Sequence, residues 1–231
     1  MRRSFSAKEW WTIGGLSLLA LFPLGVIIIK FRWTTTWRVD IGRERDRRQG
    51  CQNNLHLLWI AMRAYAQDND GRLPPTTIGG VAVSGWPSLA LTKGIPPKTL
   101  PVGWSDAAMP YFRSESVLMC PSDTHPNNTS SPRKNFYVDY WMNSQLSGVY
   151  VPIIASPSST LLLGEGDDGA DISNATYSKT SLPTYWLANT NSPAFRHLNG
   201  ANYLMADGTV HWIKPNEVMT FGGREDTFAI R

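Results

Sequence analysis

The feature that most constrains the fold is an Asp-Gly pair between two β-prone runs near the end of the chain, at Asp207 and Gly208. Such a pair is a strong signal for a β-hairpin, because a type I′ turn needs positive φ at both central residues. Closing the hairpin over these two residues predicts that Tyr203 faces Trp212, with His211 on the opposite face. A type I′ turn also tolerates asparagine, so Gly208→Asn should be mild. Since side chains alternate along a strand, one apolar face would carry Tyr203, Met205, Val210 and Trp212.

The part of the chain after residue 72 is rich in Pro, Gly, Ser, Thr and Asn, with short apolar runs and no helical period. Runs of this length between turn-forming residues predict short strands separated by loops. The predicted strands are Val81–Val83, Val149–Ile154, Thr160–Leu163, Ala201–Ala206 and Thr209–Ile213.

A helical pattern precedes these strands, over Val39 to Gln67. Its apolar residues follow a 4-3-4-3 spacing, which places them on one stripe of a helix, where a sheet would pack. Asn69-Asp70-Gly71 and the prolines that follow predict its end. The expected fold class is therefore α+β, a long N-terminal helix packed on an antiparallel sheet with long loops. The stripe consists of Cys51, Leu55, Leu58, Met62 and Tyr65.

An apolar segment near the N-terminus, Trp10 to Ile29, contains twenty residues without a charge. A helix of that length spans about 30 Å, enough to cross a bilayer. The net charge of +4 is concentrated around it, because residues 1–50 hold ten Lys/Arg against four Asp/Glu. The basic balance therefore indicates a membrane surface and not nucleic acid. A cleaved secretory signal is the alternative to a membrane anchor.

The chain has two cysteines, Cys51 and Cys120. They are either free thiols in a reducing compartment or a disulfide in an oxidising one. An extracytoplasmic domain favours the disulfide, which by loop entropy would stabilise the fold by about 4 kcal/mol. The CxxC spacing of a redox motif and a zinc quartet of Cys and His are both absent from the sequence.

Sequence motifs of catalysis are lacking: there is no nucleophile elbow, phosphate loop, dinucleotide fingerprint or His-Glu-x-x-His helix. A metal-dependent hydrolase built on His197, Asp207 and His211 is one alternative, although the turn already accounts for Asp207. We expect a structural His197 that bonds to loop backbone. An acidic loop is a weak Ca²⁺ candidate without EF-hand spacing. Its possible ligands are Glu165, Asp167, Asp168 and Asp171.

Several segments follow one another in a specific order between residues 50 and 215. The last is an H-x9-D-G pattern, a histidine at His197 followed after nine residues by Asp207 and Gly208. Together they resemble the bacterial prepilin-like, type II secretion G-like pseudopilins, including DUF1559-like proteins. The segments before this pattern are Cys51–Leu55, Tyr65–Pro74, Met119–Asp123 and Pro157–Glu165.

This resemblance implies a single-pass inner-membrane protein with an extracytoplasmic C-terminal domain. The positive-inside rule leaves the orientation open, because basic residues flank the apolar segment on both sides. A prepilin peptidase site would fall between Ser4 and Phe5, with Glu9 as the fifth mature residue, although serine replaces the usual glycine. The alternative is an uncleaved anchor. The parts would be residues 1–33 as tip and anchor, 34–72 as stalk and amphipathic helix, and 73–231 as the β-rich part.

The function implied is that of a non-enzymatic structural subunit that assembles with itself or with other pilin-like subunits through its N-terminal helix. No cofactor is expected, apart from the Ca²⁺ candidate. A membrane-tethered binding module for glycan or Ca²⁺ is the main alternative, because ten tryptophans could supply an aromatic face for sugars. The metal-dependent hydrolase is a third.

Overall fold

The structure, a computed structural model, describes residues 39–78, 102–123, 138–166, 177–223 and 226–230. The chain divides into two compact units, Met1–Arg43 and Glu44–Arg231, and the second holds every described element except the first residues of one helix. Among the described residues no helix is long and apolar enough to cross a membrane. The predicted anchor Trp10–Ile29 and the processing residues Ser4, Phe5 and Glu9 lie outside them.

The predicted long helix is confirmed. Helix α1 covers residues 39–68. Its predicted stripe is buried from Cys51 through Met62, and Tyr65 is half-buried. The helix ends as Asp70 and Gly71 take positive φ of 53° and 72°, and the Gly71 N–H donates to the Ala66 carbonyl at 2.8 Å. This left-handed ending satisfies a carbonyl that the last turn would otherwise leave without a partner.

The described strands form a two-stranded and a five-stranded sheet. Strands β1 (Thr77–Ile78) and β2 (Val102–Gly103) pair with each other. The larger sheet has the order β5-β3-β4-β6-β7. Its β3–β5 pair is parallel, so the sheet is mixed and the expected purely antiparallel sheet is wrong. The strands of the larger sheet are β3 (Tyr140–Asn143), β4 (Leu161–Glu165), β5 (Ser178–Lys179), β6 (Ala201–Met205) and β7 (Val210–Ile213).

Short helices connect these strands. Helix α2 covers Trp104–Ala108 and α3 covers Thr184–Ala188. The predicted strand Val149–Ile154 is wrong, because Val151–Ile153 is a 3-10 turn in which Pro152 removes a ladder donor. The predicted strand Val81–Val83 lies outside the described residues. Other 3-10 turns are Met109–Tyr111, Glu115–Leu118, Ser144–Leu146, Pro157–Ser159, Pro193–Phe195, Pro215–Glu217 and Phe221–Gly223.

The sheet separates two apolar clusters. One cluster joins the α1 stripe to the strand residues Met142, Leu163 and Leu204. The other includes Trp141, which stacks on Phe228 with ring centroids 5.4 Å apart. Both central strands β3 and β4 are buried along their length, so each strand supplies side chains to both clusters. The fold is thus a helix packed on one face of a sheet whose other face is covered by the C-terminal segment.

The hairpin exists, but its predicted register is wrong. Tyr203 pairs with His211, and Leu204 pairs with Val210. The connection is a three-residue loop, since the Gly208 N–H donates to the Met205 carbonyl at 3.0 Å and the Met205 N–H donates to the Thr209 carbonyl at 2.8 Å. In this loop only Gly208 has positive φ, at 95°, which fits a type I turn followed by a left-handed residue. The shift by one residue moves Val210 and Trp212 to the α1 side of the sheet.

Gly208 is expected to tolerate no side chain, asparagine included. A Cβ atom here would lie 2.2 Å from Trp59 Nε1, in addition to the positive φ. Gly208→Ala and Gly208→Asn should each lower the free energy of unfolding by about 2–4 kcal/mol, measured by urea denaturation. In a Trp59→Ala background the clash with the indole is removed. Gly208→Ala should then lower the free energy of unfolding by only about 1–2 kcal/mol, the cost of placing alanine at positive φ. Equal losses in the two backgrounds would contradict the steric part.

Candidate functional site

A buried polar cluster lies at one end of the sheet face that packs on α1. It is centred on His197, which is fully buried between two carboxylates. His197 Nδ1 lies 2.7 Å from Glu44 Oε1, and Nε2 lies 2.8 Å from Glu165 Oε1. The expected bond from a structural His197 ring to loop backbone is therefore wrong: the ring bridges the helix and the sheet.

The loop that carries His197 is tightly held. Leu198 and Asn199 have positive φ of 55° and 70°, and the His197 N–H donates to the Gly200 carbonyl at 2.7 Å. Trp212 Nε1 donates to the His197 carbonyl at 2.6 Å. A Cβ atom at Gly200 would lie 2.5 Å from the Trp212 ring, so glycine lets the indole close over the loop. These contacts fix the backbone from which the imidazole projects.

Glu165, at the end of β4, is fully buried and oriented by β6. Its Oε2 accepts the Asn202 backbone N–H at 3.0 Å, and its Oε1 accepts the Asn202 side-chain amide at 2.8 Å. The Asn202 amide oxygen in turn accepts from Gln52 Nε2 on α1 at 3.1 Å. Glu165 is the last residue of β4 and Asn202 lies inside β6, and alternation places both on the face toward α1.

The Glu44 carboxylate accepts hydrogen bonds from three side chains. Besides His197, these are Ser122, through Oγ at 2.8 Å, and Arg47, through Nη2 at 2.8 Å. Burial raises the pKa of Glu44, but the hydrogen bonds from His197, Arg47 and Ser122 outweigh it and lower the pKa below 4.5. Burial lowers the pKa of His197, but the bonds and charges of Glu165 and Glu44 raise it above 6.5. A carboxylate oxygen faces each ring nitrogen of His197, which favours the doubly protonated imidazolium, in which both nitrogens donate.

The predicted disulfide between Cys51 and Cys120 is confirmed and borders the cluster. Both cysteines are fully buried, and Cys120 Sγ lies 3.4 Å from His197 Nε2. The disulfide fastens the loop around Ser122 to α1, and Asn54 Nδ2 adds a bond to the Met119 carbonyl at 2.7 Å. The bridge therefore holds the Ser122 side of the cluster in place.

A second acid group lies behind the Cys120 loop. Burial raises the pKa of Asp139 well above 3.8, and the charge of Asp123 adds to that rise, while Arg196 and the Cys120 N–H act against it. Asp139 Oδ2 accepts the Cys120 backbone N–H, so this buried carboxyl is tied to the loop that carries the disulfide. Arg196 Nη2 lies 3.4 Å from Asp123 Oδ1 and donates to the Gly166 carbonyl at 2.7 Å.

The alternative metal site of His197, Asp207 and His211 is not assembled among the described residues. Asp207 Oδ1 accepts the Thr209 N–H and hydroxyl at 2.9 and 2.6 Å at the exposed hairpin tip. His211 lies on the other sheet face, with its ring centroid 4.8 Å from that of Phe221. Within the described chain these three residues form no potential metal cluster.

The acidic-loop candidate for Ca²⁺ stays a prediction, because only Glu165 of its four residues is described. The Glu165 carboxylate already accepts from His197 and Asn202. The remaining three candidates, Asp167, Asp168 and Asp171, lie outside the described residues.

Residues 41–196 match the family described as Protein of unknown function (DUF1559). The chain belongs to the DUF1559 family. This family is commonly associated with prepilin-like proteins, and its match begins in α1 and ends one residue before His197. A comparison with curated proteins and one with solved structures each found no match.

Most of the cluster in this DUF1559 protein is not evident from its sequence. Glu44 was one acid in a charged helical stretch, and Asp139 was one residue in a loop. The sequence signal for these residues is a polar side chain within or directly after an apolar strand. Glu165 follows the apolar run Leu161–Leu163 after one glycine, and Asn202 interrupts Ala201–Met205. A polar side chain at an inward position needs a buried partner, which here is His197.

Proposed function

We propose that this protein is a membrane-anchored, pilin-like structural subunit that assembles with itself or with other pilin-like proteins through its N-terminal helix. The observation that carries the proposal is the DUF1559 match over residues 41–196, which covers nearly all of α1 and the strands β1 to β5. The uncharged segment Trp10–Ile29 precedes α1 in the sequence and supplies the apolar length that a membrane anchor needs.

The outward side of α1 supports an assembly role. Leu57 and Ile60 are 49% and 50% exposed, whereas the neighbouring Leu55 and Leu58 are fully buried against the sheet. One turn of helix thus presents an apolar pair to the outside. A second helix laid along this turn would remove both side chains from water, which stabilises association at about 25 cal/mol per Å² of buried apolar surface.

The buried cluster supports a non-enzymatic interpretation. The His197 imidazole is fully buried, and both of its nitrogens lie within hydrogen-bond distance of carboxylates. A catalytic base needs a free lone pair and a path to a substrate. Here both carboxylates accept from the imidazole, and each also accepts from a neighbour such as Ser122 or Asn202, so the cluster serves the fold.

The glycan-binding alternative has less support. Among the tryptophans in the described ranges, Trp104, Trp141 and Trp186 are buried. Trp59 and Trp212 are half-buried, with the guanidinium carbons of Arg63 and Arg48 at 5.4 and 5.8 Å from the ring centroids. A sugar needs an open aromatic face, and these rings are covered by other side chains.

Assembly is tested by cross-linking the full-length protein in membranes. We expect dimers and larger species in the wild type, and a several-fold loss in Leu57→Ser/Ile60→Ser and in Glu9→Ala. Glu9→Ala is included because an acid near a processed N-terminus can neutralise the terminal amine of a neighbouring subunit. In an apolar bundle of helices an unpaired charge is costly. N-terminal sequencing of the same sample shows whether the chain begins at Met1 or Phe5.

The matched control is Ile153→Ser, because Ile153 is an apolar residue 60% exposed outside α1. It should leave the cross-linked species unchanged. Thermal unfolding of each variant confirms that the domain is intact. A wild type with an intact Met1 and no cross-linked species would refute the assembly proposal and favour a tethered binding module.

A further inference from the structure

Four potential metal ligands converge in the buried cluster, and the imidazole of His197 is one of them. Four buried residues each place one ligand atom within 4.8 Å of the other three: Cys51, Cys120, Glu165 and His197. In the structure the two sulfurs are joined as a disulfide. We propose that reduction of this disulfide converts the cluster into a four-ligand Zn²⁺ site made of two thiolates, one imidazole and one carboxylate.

The spacing of the atoms suits tetrahedral zinc. Zinc binds sulfur at about 2.3 Å and nitrogen or oxygen at about 2.0–2.2 Å, which places neighbouring ligand atoms about 3.3–3.8 Å apart. His197 Nε2 already lies 3.4 Å from Cys120 Sγ and 2.8 Å from Glu165 Oε1. Once their bond is broken, the two sulfurs must separate to about 3.8 Å, and the carboxylate oxygen must move about half an ångström away from Nε2. Thiolate ligands select zinc over Ca²⁺ or Mg²⁺.

The surrounding groups orient these ligands as outer partners do in zinc proteins. Glu44 Oε1 lies 2.7 Å from His197 Nδ1, so Nδ1 keeps its proton and Nε2 faces the site. The Asn202 N–H holds Glu165 Oε2 at 3.0 Å and leaves Oε1 toward the histidine. A carboxylate behind a metal-bound histidine fixes its tautomer and raises its basicity. Glu44 is therefore a positioning residue for the zinc site.

The conversion balances with a dithiol as reductant. The dithiol supplies two electrons and two protons, becomes a cyclic disulfide, and leaves two cysteine thiols. Zinc then displaces the two thiol protons and the Nε2 proton of the imidazolium, and three protons go to solvent. Since the sulfur pair cannot be a disulfide and two zinc ligands at once, oxidation and zinc binding exclude each other. The inference is independent of whether the protein assembles.

Zinc content in the two redox states tests the site. Full-length protein in detergent micelles is reduced with dithiothreitol under argon, freed of the reductant by gel filtration, and incubated with zinc sulfate. We expect one equivalent of zinc in the reduced protein and none in the oxidised protein. X-ray absorption of the zinc form should show two sulfur ligands at about 2.3 Å and two nitrogen or oxygen ligands at about 2.0–2.1 Å.

Variants assign the ligands. Glu44→Gln should weaken zinc binding by about 10- to 100-fold, as loss of an outer partner does. His197→Gln and Glu165→Gln should weaken it further, and His211→Ala, on the opposite sheet face, should leave it unchanged. Near-ultraviolet circular dichroism of the oxidised variants checks their folding. If a variant fails to fold, the ligand count from the wild-type absorption spectrum decides.

Three outcomes would overturn the zinc site. One is equal zinc in oxidised and reduced protein, and another is no stoichiometric zinc in the reduced protein. The third is unchanged affinity in folded His197→Gln and Glu165→Gln, because the two thiols would then capture the metal without the cluster.

Discussion

Replacing His197 with alanine is expected to lower the free energy of unfolding by about 3–5 kcal/mol, the usual loss when one partner of a buried ion pair is removed. The imidazolium is the cation between Glu44 and Glu165, and Glu165 is fully buried. Without it, Glu165 keeps only the bonds from Asn202 and must either carry an uncompensated charge or become protonated. Urea unfolding at about pH 6 measures the loss, because the raised pKa of His197 keeps its contribution present there.

The matched control is His211→Ala, a half-buried histidine on the other sheet face. It should change the free energy of unfolding by about 0.5 kcal/mol or less. A loss below about 1 kcal/mol for His197→Ala would mean that the two carboxylates do not depend on the imidazolium, and the ion-pair description of the cluster would be wrong.

The pH dependence of this loss is set by the pKa shifts. The pKa of His197 is raised, so its contribution is fully present below 6.5 and is lost as pH rises through the folded value. The pKa of Glu44 is lowered, so its contribution is present above 4.5 and is lost as pH falls through the folded value. The difference between wild type and His197→Ala should therefore be largest between about pH 4.5 and 6.5.

The helix was predictable from sequence because its apolar spacing and its end signal act locally. Cys51 through Met62 recur at helical period, and Asp70-Gly71 supplies the left-handed ending whatever packs nearby. The hairpin register was not, because an Asp-Gly pair suits both a two-residue and a three-residue loop. The choice between them depends on which strand residues fit against α1, and that is a tertiary property.

The polar cluster depends on contacts that no local pattern encodes. Glu44 and His197 are 153 positions apart, and His197 and Glu165 are 32 apart. Sequence reasoning identified His197 through its motif and paired the cysteines from compartment arguments. It could not identify Glu44 among the charged residues of the helix, because only the folded chain brings that carboxylate to the histidine.

The cluster joins three parts of the fold, and the disulfide joins two of the same three. Glu44 and Cys51 belong to α1, Cys120 and Ser122 to one loop, and Glu165 to the sheet. An assembling subunit needs its helix held firmly on its sheet, because contacts along the helix would otherwise pull the two apart. The charged network fixes how the helix is oriented on the sheet. The apolar stripe supplies most of the surface that this contact buries.

Loss of the disulfide is expected to be the other large effect, about 4 kcal/mol. The bridge closes a separation of 69 residues, and a loop of that length restricts the unfolded chain by about that amount. Unfolding the wild-type protein with and without dithiothreitol isolates the effect of the covalent constraint.

The double variant Cys51→Ala/Cys120→Ala also loses the packing of two fully buried sulfurs, so it should be less stable than the reduced wild type by about 1–2 kcal/mol. Both samples should show a steeper denaturant dependence, because the unfolded chain without the bridge exposes more surface. Equal stability of oxidised and reduced wild type would mean that the bridge does not restrict the unfolded state, and the helix would then be held to the Cys120 loop by packing and hydrogen bonds alone.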